Sequence, residues 1–279
     1  MEKLKGKLYI VPTPIGNLED ITLRALRILK EVDLIACEDT RITQKLLNHY
    51  EIHTKLFSYH KFSEKQKAQQ ITEFLNEGKN VALVSDAGTP VISDPGSELI
   101  KIAKENDIKI IPLPGASATI TALSAIGCED TTFAFVGFLP KSKNEKEKLL
   151  SNYREITTIF YESPNRLLKT LSELEEIFGN ITITVARELS KIFEEINTAT
   201  VKELIEYYTQ NILKGEITVI INPVKKEKSI VDDEIMKKID ILKKEGYSSK
   251  EISKIISLLY DIPKNKLYPL LHKTLIEKR

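Results

Sequence analysis

The sequence has only two cysteines, Cys37 and Cys128, in a chain of 279 residues. They lie far apart, and neither has a second cysteine or a histidine at the spacing of a metal-binding pair. A disulfide framework and a structural zinc site each need several such residues, so both are disfavoured. We expect two buried free thiols and no metal site.

Long apolar runs are also missing. No stretch of about 18 consecutive apolar residues occurs, which argues against a membrane-spanning helix. The first residues lack the apolar core of a secretory signal peptide. These two absences predict a cytoplasmic protein without a membrane partner.

The chain has no excess charge of either sign, since 41 basic and 40 acidic residues leave a net charge of +1. The overall composition therefore does not indicate a nucleic-acid partner. The distribution is uneven, however. Residues 225–279 hold fourteen basic and nine acidic residues, so this segment carries +5 and the first 224 residues carry −4. The basic C-terminal segment favours a contact with RNA.

What the sequence does contain is a repeated alternation of short apolar runs and amphipathic segments. Apolar runs such as 8–11 and 81–84 lead into loops with glycine and proline, and then into apolar residues at helical spacing. This alternation is typical of α/β folds. Together with the length, it predicts an α/β domain at residues 1–120, a second at 121–224 and a helical extension at 230–279.

The same patterns predict the individual elements. We expect strands at 8–11, 32–36, 81–84, 109–112, 133–138, 157–161, 181–186 and 217–221. We expect helices after the first strand, with Asp20 or Thr22 as the cap, and at 65–77, 96–106, 166–178 and 201–214. A helix rich in small residues is also expected to open at the loop 114–118, and another is expected between the strands 133–138 and 157–161.

The extension is predicted to contain three short helices, at 232–244, 249–260 and 264–277. Ser248 and Glu251 have the spacing of a capping box at the start of the second helix. This layout resembles a helix-turn-helix unit. A docking or dimerisation appendage without a nucleic-acid role is the alternative.

Four predicted strands end in loops rich in glycine and proline, at 12–17, 85–96, 114–118 and 161–164. In an open α/β sheet a ligand sits beyond the carboxyl ends of the strands, and glycines there let the backbone approach it. The four loops together predict a small-molecule cleft. None has the pattern G-x-G-x-x-G or the P-loop pattern, which argues against dinucleotide and P-loop nucleotide binding. Any one glycine alone is as well explained by a turn.

These loops belong to longer strings in a fixed order. The chain has LYIVPTPIGNL at 8–18, CEDTR at 37–41, LVSDAGTPVISDPG at 83–96, PLPGASA at 112–118, GFLP at 137–140, FYESP at 160–164 and ARELSK at 186–191. In these strings it resembles, over its whole length, the ribosomal RNA small subunit methyltransferase I family of the tetrapyrrole-methylase-like superfamily.

The resemblance implies a homodimer of two α/β domains of the tetrapyrrole methylase type, with S-adenosylmethionine held between the two domains. It also implies 2′-O-methylation of a cytidine in the decoding region of 16S ribosomal RNA, within the small ribosomal subunit. Gly88-Thr89-Pro90 stands in the place of the superfamily's Gly-Asp-Pro loop, from which Thr89 departs. The cofactor-binding residues implied by position are Pro12, Gly88, Thr89, Pro90, Ile92, Gly115, Ala116, Ser117, Ala118, Tyr161, Glu162, Ala186 and Ile217.

Such a cofactor supplies an activated methyl group, so alignment of the ribose hydroxyl is the main task of the protein. A carboxylate at a strand end could also take the hydroxyl proton. The candidate catalytic residues are Glu38, Asp39, Asp86 and Glu162. Each of them could equally cap a helix or pair with an arginine.

Basic residues beside the predicted cleft are candidates for phosphate contacts, which position RNA without reading its sequence. The predicted RNA-binding residues are Arg41, Lys141, Lys143 and Arg166, with Lys146, Lys148, Tyr59, His60 and Lys61 as further candidates. For the lysines after residue 140, a solvated helix start of alternating charge is the alternative.

Two other functions are compatible with these patterns. A small-molecule methylase that acts on a tetrapyrrole or similar ring could use the same fold, because fold alone does not determine function. A non-catalytic RNA-binding assembly protein could keep the cleft without chemistry. The basic segment favours RNA over a small molecule, and the four intact loops favour an enzyme.

Overall fold

A computed structural model describes residues 4–60, 64–127, 132–211, 213–224, 233–260, 262–265, 267 and 271. The chain divides into two compact units, Met1–Val224 and Lys225–Arg279. The larger unit holds two five-stranded sheets. Within the described residues, no helix is both long enough and apolar enough to span a bilayer.

The first sheet is parallel throughout, in the order β3-β2-β4-β1-β5. Its strands are β1 (Lys7–Ile10), β2 (Leu34–Cys37), β3 (Leu56–Ser58), β4 (Val81–Leu83) and β5 (Lys109–Pro112). This order places the carboxyl end of β4 between those of β1 and β2. The loops that follow β1, β2, β4 and β5 therefore meet at one edge.

Helices cover both faces of this sheet. They are α1 (Leu23–Glu31), α2 (Thr40–His49), α3 (Glu64–Asn76) and α4 (Ser97–Glu105), with α5 (Ala118–Ile126) after β5 and a 3-10 turn at Leu18–Asp20. One face packs Leu8, Leu83 and Leu99 together, and the other packs Ile35 with Leu47. Because both faces are covered, β2 is buried at every position, as parallel strands usually are.

The second sheet has the order β6-β7-β10-β8-β9 and is mainly antiparallel, with only β6 and β7 parallel. Its strands are β6 (Phe133–Phe138), β7 (Thr157–Glu162), β8 (Thr182–Arg187), β9 (Glu195–Thr200) and β10 (Ile217–Ile221). The helices α6 (Lys143–Ser151), α7 (Pro164–Phe178) and α8 (Val201–Gln210) complete it. Phe160, Leu171 and Val185 lie at the centre of its core.

The smaller unit contains α9 (Asp233–Lys244) and α10 (Ser249–Tyr260) with a core of its own that includes Ile239 and Ile256. The predicted capping box is confirmed: the Ser248 N–H donates to the Glu251 carboxylate at 2.9 Å, and the Glu251 N–H donates to Ser248 Oγ at 3.4 Å. Most of the predicted third helix, 264–277, lies outside the described residues.

The α/β class and eight predicted strands are confirmed with small shifts at their ends. The predicted start at Val32 is wrong, because the Val32 N–H still donates to Ile28 at the end of α1 and β2 begins at Leu34. The predicted helix 201–214 ends at Gln210. The prediction also lacked three elements, which are α2, β3 and β9.

Cys37 is a buried free thiol, as predicted, and burial raises its pKa. Cys128 lies outside the described residues. Thr22 rather than Asp20 caps α1, because its hydroxyl accepts the Ala25 N–H at 3.0 Å. The division of the larger unit at residues 120–121 stays a prediction.

Candidate active site

The loops after β1 and β4 are joined by backbone hydrogen bonds. The Thr13 N–H donates to the Gly88 carbonyl at 2.9 Å, and the Gly88 N–H donates back at 3.0 Å. The Thr13 hydroxyl also donates to the Ser85 carbonyl at 3.0 Å. Gly88 has φ +77°, a left-handed conformation that glycine adopts without steric strain.

The loop after β5 joins the same structure. Thr89 Oγ1 donates to the Ala116 carbonyl at 3.0 Å, so the residue that departs from the superfamily aspartate ties two loops together. A Cβ atom on Gly115 would lie only 2.5 Å from Pro12 Cβ, so this close approach requires glycine. The three loops form one rigid support, which we call the loop frame: residues 12–13, 85–89 and 115–116.

A cavity of about 430 Å³ lies against the loop frame and extends to the second sheet. Ten predicted site residues line it, from both sheets: Glu38, Asp86, Gly88, Thr89, Ile92, Ser117, Ala118, Tyr161, Glu162 and Ile217. The sequence strings therefore do converge on one cleft. Its volume falls within the range of about 300–1,000 Å³ that is common for small-molecule sites.

The other predicted cofactor residues do not line the cavity. Pro12, Gly115 and Ala116 lie within the loop frame behind it. Pro90 is likewise not among the lining residues. Ala186 is 1% exposed, packs in an apolar cluster with Ile159 and is not among the lining residues either.

Ten lining residues were not predicted: Ile15, Ala87, Ser93, Asp94, Phe138, Ser163, Pro164, Gly215, Glu216 and Thr218. Seven of these belong to the strings quoted above, so the sequence did contain a signal for them. Gly215, Glu216 and Thr218 do not. They reach the cleft because β10 runs antiparallel to β7, which places Ile217 opposite Glu162.

Four carboxylates give the cavity an acidic wall, which comprises Glu38, Asp86, Asp94 and Glu216. Burial raises the pKa of Asp94 to about 6, with further contributions from the other three carboxylates. Burial also raises the pKa of Asp86, although the Asp39 N–H donates to its Oδ1 at 3.1 Å. Among the described residues, no group of three or more His, Cys, Asp or Glu side chains is arranged to hold a metal ion. A wall of this charge favours a positively charged group on a ligand.

Asp39 is the one catalytic candidate that does not line the cavity. Its carboxylate accepts from Arg41 Nη2 at 2.6 Å, and this contact lowers the Asp39 pKa to about 2. The carboxylate also accepts the Arg41 N–H at 2.9 Å and so caps α2. Arg41 itself remains exposed.

Glu162 is completely buried, and both of its oxygens are engaged. Oε1 accepts the Ser163 N–H at 2.8 Å and lies 3.2 Å from Arg166 Nε, while Oε2 accepts from Thr170 Oγ1 at 2.7 Å. The Arg166 guanidinium also donates to the carbonyls of Leu139 at 2.7 Å and of Pro140. Both residues therefore hold the loops after β6 and β7 together.

Tyr161 forms an aromatic wall beside this ion pair. Thr119 Oγ1 donates to the Tyr161 hydroxyl at 2.9 Å. The rings of Phe135 and Phe138 meet the Tyr161 ring edge-on, with centroids at 4.8 and 5.7 Å. Phe138 is 56% exposed and Ile92 is 63% exposed, so both present apolar surface to solvent beside the cavity.

The predicted RNA-binding residues have different surroundings. Lys141 is exposed, and Lys143 is exposed but paired with Glu176. Two further candidates were wrong: Lys146 is buried in an ion pair with Glu173, and Tyr59 is 1% exposed. Lys61 lies outside the described residues.

Comparisons with known proteins agree with this geometry. Residues 7–205 match the family model for tetrapyrrole (corrin/porphyrin) methylases. A relative from Halalkalibacterium halodurans named ribosomal RNA small subunit methyltransferase I is 43% identical over 276 residues, which cover 96% of each chain. A relative of the same name from Haemophilus influenzae is 46% identical, covering 96% of this chain and 97% of its own.

Solved structures share the fold of the larger unit. A cobalt precorrin-4 methyltransferase superposes with a TM-score of 0.59 and 21% identity, covering 77% of this chain and 94% of its own. A Thermus thermophilus uroporphyrin-III C-methyl transferase complexed with S-adenyl homocysteine has a TM-score of 0.56 and 17% identity, and covers 77% and 97%. The chain therefore belongs to the tetrapyrrole methylase family and, within it, to the ribosomal RNA small subunit methyltransferase I proteins.

Proposed function

We propose that the protein methylates the 2′-oxygen of a cytidine in the decoding region of 16S ribosomal RNA, with S-adenosylmethionine as methyl donor. Relatives that span nearly the whole chain are named as ribosomal RNA methyltransferases, and the family supports the enzyme class. The choice of cytidine and of the 2′-oxygen rests on the family strings. The observation that carries the proposal is the acid-walled cavity against the loop frame.

The cavity suits the proposed cofactor in size and in charge. S-adenosylmethionine supplies an activated methyl group on a positively charged sulfur, which the carboxylates of Asp86 and Asp94 would favour. The left-handed backbone at Gly88 exposes main-chain groups to a ligand. We propose that Gly88, Ser117 and Ala118 hold one side of the cofactor, with Tyr161 and Ile217 opposite.

The remaining lining residues would position the ribose. Ile92 and Phe138 are apolar and partly exposed beside the cavity, so they can cover a bound nucleotide and exclude water. The engaged carboxylate of Glu162 keeps the end of β7 in place rather than taking a proton. Alignment of the hydroxyl with the methyl group is then the main contribution to the rate.

RNA phosphates must avoid the acidic wall, so we place their contacts outside the cavity. Arg41, Lys141 and Lys143 are exposed, and we propose that they make such contacts, although Arg41 also pairs with Asp39 and Lys143 with Glu176. The guanidinium of Arg166 is already held by Glu162 and two carbonyls, so its contribution is to the shape of the cleft. We further propose that the basic segment 225–279 contacts the RNA, and that the enzyme acts as a cytoplasmic homodimer on the small ribosomal subunit.

The direct test uses methyl-labelled S-adenosylmethionine and small subunits that lack the modification. The label is mapped by nuclease digestion and nucleoside mass spectrometry, with free 16S RNA tested in parallel. We expect label on the 2′-oxygen of one cytidine. Label on a base would leave the enzyme class intact and refute the 2′-O assignment. If RNA stays unlabelled while the cofactor binds, a small-molecule methylase replaces the proposal, and if the cofactor does not bind, no enzyme assignment stands.

A further inference from the structure

The loop between β4 and α4 has an unusual backbone conformation. Val91 has φ +77°, a left-handed conformation that is strongly disfavoured for a β-branched residue. Such conformations persist only where the surrounding structure enforces them, and they concentrate at functional sites. Three residues after Val91, the same loop carries Asp94, whose side chain faces the cavity.

Contacts at both ends of the loop enforce this conformation. At its start, Thr89 Oγ1 donates to the Ala116 carbonyl at 3.0 Å. At its end, Glu64 Oε1 accepts the N–H groups of Gly96 at 2.9 Å and Glu98 at 3.3 Å. The Gly96 backbone fits against the Val91 side chain, since a Cβ on Gly96 would lie 2.7 Å from Val91 Cγ2. Asp94 is therefore held in a fixed loop, as a catalytic group must be.

The charged groups around Asp94 come from three loops, one of which is its own. Glu38 follows β2, Asp86 follows β4 and Glu216 precedes β10. Lys191 Nζ lies 3.0 Å from the Glu216 carboxylate and compensates its negative charge. Asp94 is half-buried, and this burial raises its pKa. The like charges of the three carboxylates raise it further, to about 6. A carboxylate with such a pKa is mostly ionised at neutral pH and is a stronger base than an ordinary aspartate.

Three of the other carboxylates are less suited to accept a proton. Glu162 has both oxygens engaged by Ser163, Arg166 and Thr170. Asp86 uses Oδ1 to accept the Asp39 N–H at 3.1 Å. Asp39 lies outside the cavity, and its pair with Arg41 lowers its pKa to about 2.

We propose that Asp94 is the base that accepts the ribose 2′-hydroxyl proton during methyl transfer, an inference that rests on the proposed function. The 2′-oxygen forms a bond to the methyl carbon while the carbon–sulfur bond breaks and its electron pair stays on sulfur. The hydroxyl proton passes to the Asp94 carboxylate, which then releases it to water. The loop frame and Glu64 are positioning elements for this step.

The test compares the full-length wild-type protein with Asp94→Asn, which keeps the size of the side chain. Single-turnover methyl transfer to unmodified small subunits is measured from pH 5 to pH 9, and cofactor binding by calorimetry. We expect the Asn variant to lose about 10²- to 10⁴-fold in transfer rate at saturating cofactor, with nearly unchanged affinity for S-adenosylhomocysteine, whose sulfur is uncharged. The wild-type rate should fall below about pH 6, as Asp94 becomes protonated, and the variant should lose this dependence. Glu105→Gln, an exposed carboxylate on α4, is the control and should match the wild type.

A second variant protects the test against misfolding of the first. Glu38→Gln removes a like charge beside Asp94, so the fall in rate at low pH should move to lower pH. If the wild type methylates RNA but Asp94→Asn retains its rate and its pH dependence, the inference is wrong and the proposed function stands. An unmoved profile in Glu38→Gln also contradicts it. If the wild type does not methylate RNA at all, both proposals fail.

Discussion

The two walls of the cavity, one from each sheet, are held in place by different kinds of contact. On the first-sheet side, backbone hydrogen bonds and glycines hold the loop frame, together with the hydroxyls of Thr13, Ser85 and Thr89. On the second-sheet side, a buried side-chain network around Glu162 and Arg166 joins the ends of β6 and β7. Strand direction does not explain this difference, because β6 and β7 are themselves a parallel pair. The difference lies in what holds the loops, which is mainly backbone in one wall and side chains in the other.

The difference predicts that the two walls fail differently. Changes in the loop frame should affect ligand binding more than stability, because the frame supports the cavity in which we propose that the ligand binds. Changes in the Glu162 network should affect stability first, because they leave buried polar groups without partners.

The largest expected effect on stability is that of Glu162→Ala. The variant removes the acceptor of Thr170 Oγ1 and the carboxylate that pairs with Arg166 Nε, so we expect the free energy of unfolding to fall by about 2–3 kcal/mol. Denaturant unfolding at pH 7.5 measures this. Glu162→Gln, which can still accept and donate hydrogen bonds, is the control and should lose less. Equal losses in both variants would show that shape rather than hydrogen bonding matters at this position.

A matched pair of glycine substitutions should separate binding from stability. Gly88 and Gly179 have φ values of +77° and +79°, so alanine strains the backbone at both positions by about 1–3 kcal/mol. Only Gly88 lines the cavity. We expect both Gly88→Ala and Gly179→Ala to lower the melting temperature, with weaker binding of S-adenosylhomocysteine in the first alone. Equal affinity in the two variants would contradict a direct role for the loop frame in binding.

Asp94→Asn should stabilise the fold at neutral pH. Folding raises the pKa of this carboxyl from its ordinary value of 3.8 to about 6, so the charged form destabilises the folded state above that pH. With solvent screening of a half-exposed group, we expect a gain of about 1 kcal/mol at pH 7.5. The gain should shrink as the pH falls through about 6 and vanish below 3.8. Thermal melts at pH 7.5 and 4 give the comparison, and a gain that persists at pH 4 would refute the electrostatic cause.

Substitutions in the smaller unit should have the smallest effect on the cavity. Lys244, Lys250 and Lys254 are exposed on and beside α9 and α10. Their joint replacement by glutamine should weaken binding to small subunits and reduce the salt dependence by about one unit of slope per lost phosphate contact. Cofactor affinity should not change. Lys30 is exposed on α1, and the control Lys30→Gln tests whether the loss of any surface lysine has this effect. An unchanged salt slope in the triple variant would rule out RNA contacts from these lysines.

The sequence predicts most of the fold because buried strands of a parallel sheet are continuous apolar runs, as at β1 and β4. It does not predict β9 or β3 for physical reasons. The edge strand β9 has the sequence EINTAT, with polar residues at most positions, and β3 has only three residues. Helix α2 follows β2 after two residues and has few apolar positions.

The site is predictable where ligand contacts follow strand ends, and less so elsewhere. Asp94 lies far along the loop after β4, beyond Val91 with its left-handed backbone, and still lines the cavity. Glu216 enters the site through antiparallel pairing, which no local pattern reveals. Lys146 was misassigned because an alternating charge pattern does not show which face of α6 packs against Glu173.

The most direct test of the account is a crystal structure of the full-length protein with S-adenosylhomocysteine bound. We predict that the ligand fills the cavity, with main-chain contacts to Gly88 and Ser117 on one side and Tyr161 on the other. Its sulfur atom should point toward open space within reach of the Asp94 carboxylate, where the ribose hydroxyl would lie. A ligand bound outside this cavity, or one whose sulfur is turned away from Asp94, would contradict the account.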